Sequence, residues 1–318
     1  MNSVWSFVIT CNRPLNTLLL LTSVMFLNGC TQYFFYPDKR MVRTPADIGL
    51  SYQDVELNAR DQTKLHGWLL KTESLSPKGM VFFLHGNAEN ISTHIASVYW
   101  LPQYGYDVFM LDYRGYGQSQ GKPDLPQVFM DVEAGYRWVS DYAQERNLDL
   151  FVLGQSLGAA ISSYYFAEKN TTPERVKGVI LDAVFSGHRD IAKAMLSRHW
   201  LTWPAQFAVA PLLPTQYNPA DHVAQISPTP LLILHSPEDQ VIPFTQGQTV
   251  YQQAQQPKYW VSTKGPHITT FNFPAYQQLL LRFLAEPGVD PQTSPTDHRQ
   301  TDSTSSPLQT STSAHAPE

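Results

Sequence analysis

Residues 150–158 read Leu-Phe-Val-Leu-Gly-Gln-Ser-Leu-Gly, and this stretch decides the fold. Its first four residues form a continuous apolar run, which is typical of a strand buried on both faces of a parallel sheet. The Gly-x-Ser-x-Gly pattern follows directly and opens a helical pattern, which predicts a sharp strand-to-helix turn that carries Ser156. The alternative is a turn that merely happens to contain serine. Because both flanking elements are in place, we interpret Ser156 as a nucleophile.

The same alternation of short apolar runs and helical patterns extends to both sides of this turn. Buried strands are predicted at residues 80–84, 108–111, 179–181 and 231–234, a hairpin at 55–59 and 65–70, and a helix at 126–143. Strands that alternate with helices predict an α/β fold, a mostly parallel sheet with helices on both faces. Sites in such sheets form beyond the carboxyl ends of the strands, which is where the polar residues of interest stand.

A second polar turn, His85-Gly86-Asn87, follows an earlier strand of the predicted sheet. In a fold of this kind the N–H of Asn87 and the N–H of Leu157 are predicted to form an oxyanion hole. One preorganised donor of this type stabilises a transition state by about 3 kcal/mol. Gly86 allows a close approach of the chain, and we interpret His85 as a residue that shapes the loop rather than one that takes a proton.

The candidate base is His267, which lies in Gly265-Pro266-His267 between a short predicted strand and the last helix. Downstream of Asp239 the chain has two other histidines, His298 and His315. Both stand in the C-terminal tail, where nothing can hold them in place. Exclusion therefore indicates His267.

The acid that orients this base is open among three carboxylates. Asp239 and its neighbour Glu238 stand in the turn after the strand predicted at residues 231–234. Asp182 ends the preceding strand, and its alternative role is a hydrogen bond that organises the loop there. In a catalytic triad of nucleophile, base and acid, the acid fixes the tautomer of the base and stabilises its imidazolium form.

Several segments together resemble a known family. They are residues 85–90 (His-Gly-Asn-Ala-Glu-Asn), 112–117 (Asp-Tyr-Arg-Gly-Tyr-Gly), 154–158, and the segments around Asp239 and His267. In order and spacing, over roughly residues 50–284, they resemble the BEM46/ABHD13-like branch of the α/β-hydrolases. The resemblance implies the α/β-hydrolase fold and a triad of Ser156, Asp239 and His267, because residues 235–243 match the family pattern with Asp at that place. It implies no particular substrate.

Three residues depart from the family pattern. Glu89 stands where the family commonly has glycine, Ser236 stands where glycine is usual, and Thr269 stands close to a usual asparagine. None of these changes removes a catalytic group. Glu89, however, adds a charge near the mouth of the predicted site and can alter substrate choice.

Residues 186–226 separate two core strands and are predicted to form a small helical cap. Within the cap, residues 200–213 are aromatic and apolar. We weigh two interpretations equally, an acyl-binding lid and ordinary packing against the edge of the sheet.

The N-terminus has the features of a targeting segment. An apolar run at residues 15–26 has the length of a signal-peptide core and is short for a membrane span. It ends in Leu-Asn-Gly followed by Cys30, which resembles the cleavage box of bacterial lipoproteins. The resemblance implies that Cys30 carries lipid, and Thr31 after it favours the outer membrane. The alternatives are an uncleaved anchor and an ordinary signal peptide.

These observations divide the chain into four parts. We predict a signal peptide at residues 1–29, a tether and lead-in at 30–50, a hydrolase domain at 51–286 and a tail at 287–318. The tail is rich in Ser, Thr and Pro with few large apolar residues, so it is predicted to be disordered.

The composition limits the possible functions. The net charge of -5 and the lack of a Lys/Arg block argue against nucleic-acid binding. The two cysteines, Cys11 and Cys30, both lie near the N-terminus, so the body has no disulfide and no cysteine metal site. We expect a membrane-anchored serine hydrolase that cleaves carboxylic esters of acyl substrates and needs no cofactor or metal. The alternatives are a serine peptidase or amidase and an inactive envelope scaffold. The oligomeric state is open.

Overall fold

A computed structural model describes residues 35–168, 176–198 and 201–293. The predicted signal peptide, Cys30 and the predicted tail from residue 294 onward lie outside the described residues. The strands are β1 (Tyr36–Pro37), β2 (Tyr52–Asn58), β3 (Lys64–Leu70), β4 (Gly79–Leu84), β5 (Ala88–Glu89), β6 (Tyr106–Asp112), β7 (Leu150–Gln155), β8 (Val176–Asp182), β9 (Leu231–His235) and β10 (Lys258–Ser262).

The helices fall between these strands. The α-helices of the described residues are α1 (Ile91–His94), α2 (Gln127–Arg146), α3 (Leu157–Glu168), α4 (His188–Leu196), α5 (Gln206–Val209), α6 (Pro219–His222), α7 (Phe244–Gln253) and α8 (Pro274–Ala285). Short 3-10 helices cover Pro45–Ile48, Ile95–Ser97, Leu101–Tyr104, Trp203–Ala205, Ala210–Leu212, Val223–Ile226 and Thr270–Asn272.

One sheet organises the molecule, with the strand order β10-β9-β8-β7-β4-β6-β3-β2. Strands β4, β6, β7, β8, β9 and β10 are parallel to one another. Strands β2 and β3 form the predicted antiparallel hairpin at one edge, where β3 pairs with β6. Successive side chains of a strand point to opposite faces. Accordingly, Phe82 of β4 belongs to the core cluster that contains α2 and α3, and Phe83 belongs to the cluster that contains α8. The predicted α/β fold is confirmed.

The turn after β7 is held by close backbone packing. A Cβ atom on Gly158 would overlap the carbonyl of Leu84 at the end of β4. A Cβ atom on Gly154 would lie 2.5 Å from the carbonyl oxygen of Gly158. Helix α3 therefore passes directly over the ends of β4 and β7, and larger residues at the two glycines would push it away.

The structure corrects the predicted tether at residues 30–50, because the chain is part of the folded domain from Phe35 onward. Tyr36 pairs with Ala88 in a short parallel ladder, β1 with β5. The side-chain amide of Asn90 donates to the carbonyls of Asp38 and Arg40 at 2.9 Å each. The sequence from Phe35 to Arg40 shows no helical or strand periodicity, and its position depends on hydrogen bonds to partners far along the chain.

The domain also extends past the predicted boundary at residue 286. Arg282 of α8 donates from Nε to the carbonyl of Pro291 over 2.7 Å. The side-chain amide of Gln292 donates to the carbonyl of Trp260 in β10 over 2.9 Å. Residues 287–293 therefore pack against the last helix and the edge strand, which corrects the predicted start of the tail at 287.

Among its described residues, 186–198 and 201–226, the cap region contains only short helices. Ala210 and Leu213 are buried, but several large apolar residues of the same stretch are exposed. Burial within the domain therefore accounts for only part of the apolar sequence at 201–213. In the described part of the chain, no helix combines the length and the apolar character needed to cross a membrane.

Truncation separates the packed part of the tail from the rest. We expect a chain that ends at Thr293 to keep the melting temperature of the full chain. A chain that ends at Glu286 loses the bonds to Pro291 and Gln292, each worth about 1 kcal/mol, so its Tm should fall by about 2–8 °C. Thermal unfolding followed by circular dichroism measures both, and equal Tm values for the two truncations would contradict the assignment.

Candidate active site

Ser156 stands at the turn between β7 and α3 with a φ of +54°. This left-handed conformation costs a non-glycine residue about 1–3 kcal/mol and persists only where the surroundings enforce it. Here the N–H of Ser156 donates to the carbonyl of Asp182 over 2.9 Å, and its own carbonyl accepts from Ala160 over 3.1 Å. These two hydrogen bonds fix the backbone of the turn and so the direction of the Ser156 side chain. Only 8% of the residue is exposed.

The structure brings Ser156, His267 and Asp239 together. Nε2 of His267 lies 2.9 Å from Oγ of Ser156. Nδ1 of the same ring lies 2.7 Å from Oδ2 of Asp239. Because an ionised carboxylate only accepts hydrogen bonds, Nδ1 carries the proton and Nε2 accepts from the serine hydroxyl. The three side chains form one hydrogen-bonded line across 111 residues of sequence.

The surroundings of Asp239 favour its ionised form. Burial acts to raise the pKa of Asp239, but the hydrogen bond and charge of His267 act in the opposite direction. Oδ1 also accepts the backbone N–H groups of Val241 at 2.7 Å and Ile242 at 2.9 Å. Together these interactions hold the pKa of Asp239 below its usual value, so the carboxylate is charged at neutral pH.

The loops that carry Asp239 and His267 are joined a second time. Oε2 of Glu238 accepts the backbone N–H of Gly265 over 3.1 Å. Gly265 has a φ of +91°, which glycine adopts without strain. Glu238, one of the three candidate acids, therefore braces the histidine loop and makes no hydrogen bond to the ring.

Asp182, the third candidate, serves other partners. Its Oδ2 accepts from the side-chain amide of Gln155 at 2.7 Å, and its Oδ1 accepts from the hydroxyl of Thr270 at 2.8 Å. Burial raises the pKa of Asp182 to about 6 against these two hydrogen bonds. Its role in the structure is to tie the turn before Ser156 to the segment after His267.

The loop after β4 lies against the serine. A Cβ atom on Gly86 would sit 3.6 Å from Cβ of Ser156. Leu157 is the first residue of α3, so its N–H has no acceptor within the helix. The chain at Asn87 and Leu157, the two predicted oxyanion donors, thus flanks Ser156.

The position of Asn87 depends on residues that the sequence did not single out. Its Oδ1 accepts the backbone N–H of Tyr36 and the hydroxyl of Tyr116, both at 3.1 Å. The same hydroxyl also lies 2.7 Å from the carbonyl oxygen of Asn87. Burial raises the pKa of Tyr116, so the phenol keeps its proton. The 112–117 motif in the sequence could have indicated Tyr116 as a functional residue. No feature of the sequence indicates that Tyr36 pairs with Asn87.

The 112–117 motif braces this loop in two further places. Oδ1 of the fully buried Asp112 accepts the N–H of Ile91 over 3.0 Å, just after the loop. Arg114 binds Asp131 of α2 through Nε and a terminal nitrogen, at 2.9 and 2.7 Å. Breaking such a buried pair by removing one partner costs about 3–5 kcal/mol, so the motif anchors the loop to the sheet and to α2.

His85 is fully buried, so it has no access to a substrate. Its Nδ1 lies 2.7 Å from the carbonyl oxygen of Gly86, and its ring packs on Tyr113 with centroids 4.5 Å apart. Burial first, and then the neighbouring His94, lower the pKa of His85 well below its usual value. A neutral ring inside the loop agrees with the structural interpretation of this residue.

Comparison with known proteins places these features in a family. The family model described as Serine aminopeptidase, S33, matches residues 75–220. Uncharacterized protein YfhR of Salmonella typhi is 32% identical over 251 residues, which span 75% of this chain and 81% of that protein. Protein bem46 of Schizosaccharomyces pombe is 25% identical over 282 residues, 85% of this chain and 91% of its own.

Solved structures show the same fold. The Pyrococcus furiosus esterase Pf2001 superposes with a TM-score of 0.63 at 22% identity, covering 80% of this chain and 97% of its own. The Pyrococcus horikoshii acylaminoacyl peptidase gives 0.55 at 17% identity, covering 74% of this chain and 41% of its own. Fold and family model define a hydrolase of the α/β-hydrolase class. Within that class, the chain belongs to the BEM46-like branch.

Substitution of the three carboxylates tests which one serves His267. We expect Asp239→Asn to lower kcat by up to about 10⁴-fold, because the amide favours the wrong imidazole tautomer. Glu238→Gln keeps an oxygen for Gly265 and should change kcat by only a few-fold. Steady-state hydrolysis of a chromogenic ester measures both.

Asp182→Asn is the matched control. Oδ1 of the new asparagine still accepts from Thr270, and Gln155 can turn its amide so that Oε1, which has no partner within the described residues, accepts from the new NH₂. An ionised Asp182 costs stability above its pKa of about 6. The variant should therefore gain Tm relative to wild type at pH 8 compared with pH 4. A larger kcat loss for Asp182→Asn than for Asp239→Asn, in a folded protein, would move the acid to β8.

Proposed function

We propose that this protein is a serine hydrolase that cleaves carboxylic esters of acyl substrates, with Ser156 as nucleophile, His267 as general base and acid, and Asp239 as the residue that orients the base. The observation that carries the proposal is the line of hydrogen bonds from Oγ of Ser156 through His267 to Asp239. A nucleophile bonded to a base, and a base bonded to an orienting carboxylate, is the arrangement that covalent acyl transfer requires.

Each step of the reaction uses a contact of this site. Oγ of Ser156 attacks the ester carbonyl while its proton moves to Nε2 of His267. The negative charge on the carbonyl oxygen is stabilised by the N–H groups of Asn87 and Leu157. The ester C–O bond breaks, and His267 returns the proton to the leaving alcohol. Water activated by the same ring then cleaves the acyl-enzyme to give the carboxylic acid and free serine.

An ester is the favoured substrate class because of what the site provides. His267 returns one proton to the leaving group in either case, but an amine is a poorer leaving group than an alcohol and must be protonated before it is expelled. An aminopeptidase further needs a carboxylate that holds the substrate amine. Together with the lipoprotein-like cleavage box that ends at Cys30, this favours acyl esters of the bacterial cell envelope as substrates. The protein is anchored by a lipid on Cys30, and Thr31 favours the outer membrane.

A peptidase is the second candidate, and Glu89 is the observation that favours it. This residue is exposed at the loop after Asn87 and has a φ of +63°, a conformation suited to the glycine that the family commonly has there. A carboxylate kept in a strained position is a feature of functional sites, and it can hold an amine. The family model carries an aminopeptidase description.

Activity on two substrate series tests the proposal. We expect the protein to hydrolyse p-nitrophenyl esters and to leave aminoacyl p-nitroanilides uncleaved, and a fluorophosphonate probe should label it. Ser156→Ala should remove labelling and lower ester turnover by about 10³-fold or more, because the nucleophile is lost, while the Tm stays within a few degrees.

Three results would count against parts of this assignment. Continued labelling of Ser156→Ala would place the nucleophile elsewhere. Faster cleavage of the anilides than of the esters, abolished by Glu89→Gln, would make the protein a peptidase. A wild-type protein that reacts with neither substrate nor probe would leave the inactive scaffold as the function.

The anchoring part of the proposal is tested at the two cysteines. We expect cells that express the full chain to incorporate labelled palmitate into it and to process it to a shorter form in the membrane fraction. Cys30→Ser should abolish both labelling and processing, because the thiol is the group that carries the diacylglycerol. Cys11→Ser, which falls in the predicted signal peptide, is the control and should leave both unchanged. Palmitate labelling that persists in Cys30→Ser would contradict a lipid anchor at Cys30.

A further inference from the structure

The cap presents a cluster of large apolar side chains to solvent. Leu201, Trp203, Phe207 and Leu212 are 72%, 51%, 66% and 60% exposed, and we call these four residues the apolar cap face. The rings of Trp203 and Phe207 meet edge to face with centroids 5.3 Å apart. Single exposed apolar residues are ordinary, but several within one short stretch of chain mark a surface that binds something.

This surface is fixed to the region around Asp239. Arg189 of α4 donates to the carbonyls of Pro211 and Leu213, at 2.9 and 3.0 Å, which holds the apolar stretch on α4. At the other end of α4, Arg198 donates to the carbonyl of Val241 over 2.6 Å. The N–H of Val241 is in turn bonded to Asp239, so the cap rests directly on the loop of the triad acid.

The N-terminal segment reaches the same edge of the sheet from the other side of Ser156. Tyr36, which is 61% exposed, donates its N–H to Asn87. The loops after β4 and β9 are three strands apart, about 14 Å, and β7 with Ser156 lies between them. Four residues lie between Cys30 and Phe35, so the five Cα-to-Cα steps from one to the other span at most about 18 Å. A lipid on Cys30 therefore holds the membrane close to this edge.

Charge supports a lipid surface as the occupant. Residues 188–213 contain three cationic side chains, Arg189, Lys193 and Arg198, and one acidic side chain, Asp190, which leaves a net charge of +2 in a chain whose net charge is -5. Anionic head groups attract basic residues next to a membrane, and tryptophan favours the interface between head groups and acyl chains.

We propose that the apolar cap face and Tyr36 lie in the lipid bilayer that holds Cys30, so that Ser156 faces the membrane and takes its ester substrates, acyl lipids, directly from it. The inference rests on the proposed esterase activity and anchor and deepens them by naming the source of the substrate. The lipid enters between the cap and the loop at Asn87, Ser156 takes its acyl group, and the alcohol leaves with the proton from His267.

Kinetics on two substrates test the orientation. The full-length lipidated protein is reconstituted in vesicles of phosphatidylethanolamine and phosphatidylglycerol that contain a diacylglycerol. We expect the double variant Trp203→Ser, Phe207→Ser to lower the ratio of diacylglycerol to p-nitrophenyl acetate turnover at least tenfold. Leu75→Ser is the matched control. Leu75 is fully exposed in the loop before β4, at the amino ends of the parallel strands, whereas Ser156 lies at their carboxyl ends. The ratio for Leu75→Ser should equal that of wild type.

Accessibility gives a readout that does not depend on catalysis. In the same vesicles, the thiol introduced by Phe207→Cys should resist a water-soluble maleimide and react fully after detergent is added. The thiol introduced by Leu75→Cys should react in both conditions. Labelling by fluorophosphonate and Tm confirm that each variant is folded.

The outcomes separate the inference from the function on which it rests. If the probe labels wild type but the double variant keeps the wild-type ratio, or if Phe207→Cys reacts freely in vesicles, the membrane orientation is wrong. If Phe207→Cys is protected by an added soluble protein and not by vesicles, the apolar cap face binds a protein partner and the membrane orientation is also wrong. If neither probe nor esters react while Phe207→Cys is protected in vesicles, the esterase function fails and the membrane contact stands.

Discussion

The backbone of Ser156 is the constraint on which the site depends. Its positive φ is unfavourable by itself, and the packing of α3 across the ends of β4 and β7 enforces it. Gly154 and Gly158 permit that packing, since side chains there would meet backbone atoms. One consequence is that Oγ points at His267, and another is that Leu157 becomes the first residue of a helix, with its N–H beside the serine. The positions of the proposed nucleophile and of one proposed oxyanion donor therefore follow from a single turn.

The remaining groups come from loops that the parallel sheet brings to one edge. Strands β4, β7 and β9 end at the same side, so the loop at Asn87, the turn at Ser156 and the loop at Asp239 become neighbours. Proximity alone does not fix side chains to within a few tenths of an ångström. Hydrogen bonds between loops do this, as Glu238 does for the histidine loop and Tyr116 does for Asn87. The residues that position the site thus outnumber those proposed to react.

The sequence was sufficient where the signal was local. Short apolar runs located the core strands, and the Gly-x-Ser-x-Gly turn with its flanking elements located Ser156. It was insufficient where long-range pairing decides. The segment after Phe35 has no apolar periodicity in its sequence, and residues far along the chain, among them Ala88 and Asn90, bond to it. For the same reason the residues alone left the acid open among three carboxylates, and only the family resemblance indicated Asp239. All three stand at one sheet edge, and only the hydrogen bonds of Gln155 and Thr270 to Asp182 and of Gly265 to Glu238 show where two of them are engaged.

Electrostatics distinguishes the two buried aspartates at this edge. Burial raises the pKa of both, but their partners differ. Asp239 is bonded to His267 and to two backbone N–H groups, which hold its pKa below the usual value. Asp182 has neutral side-chain partners, and the nearby charge of Asp239 adds to the burial that raises its pKa to about 6. Two carboxylates close together resist carrying charge at once. In the proposed mechanism His267 becomes an imidazolium, and the carboxylate beside it must already be ionised. Of these two aspartates, Asp239 is the one whose environment favours the ionised form.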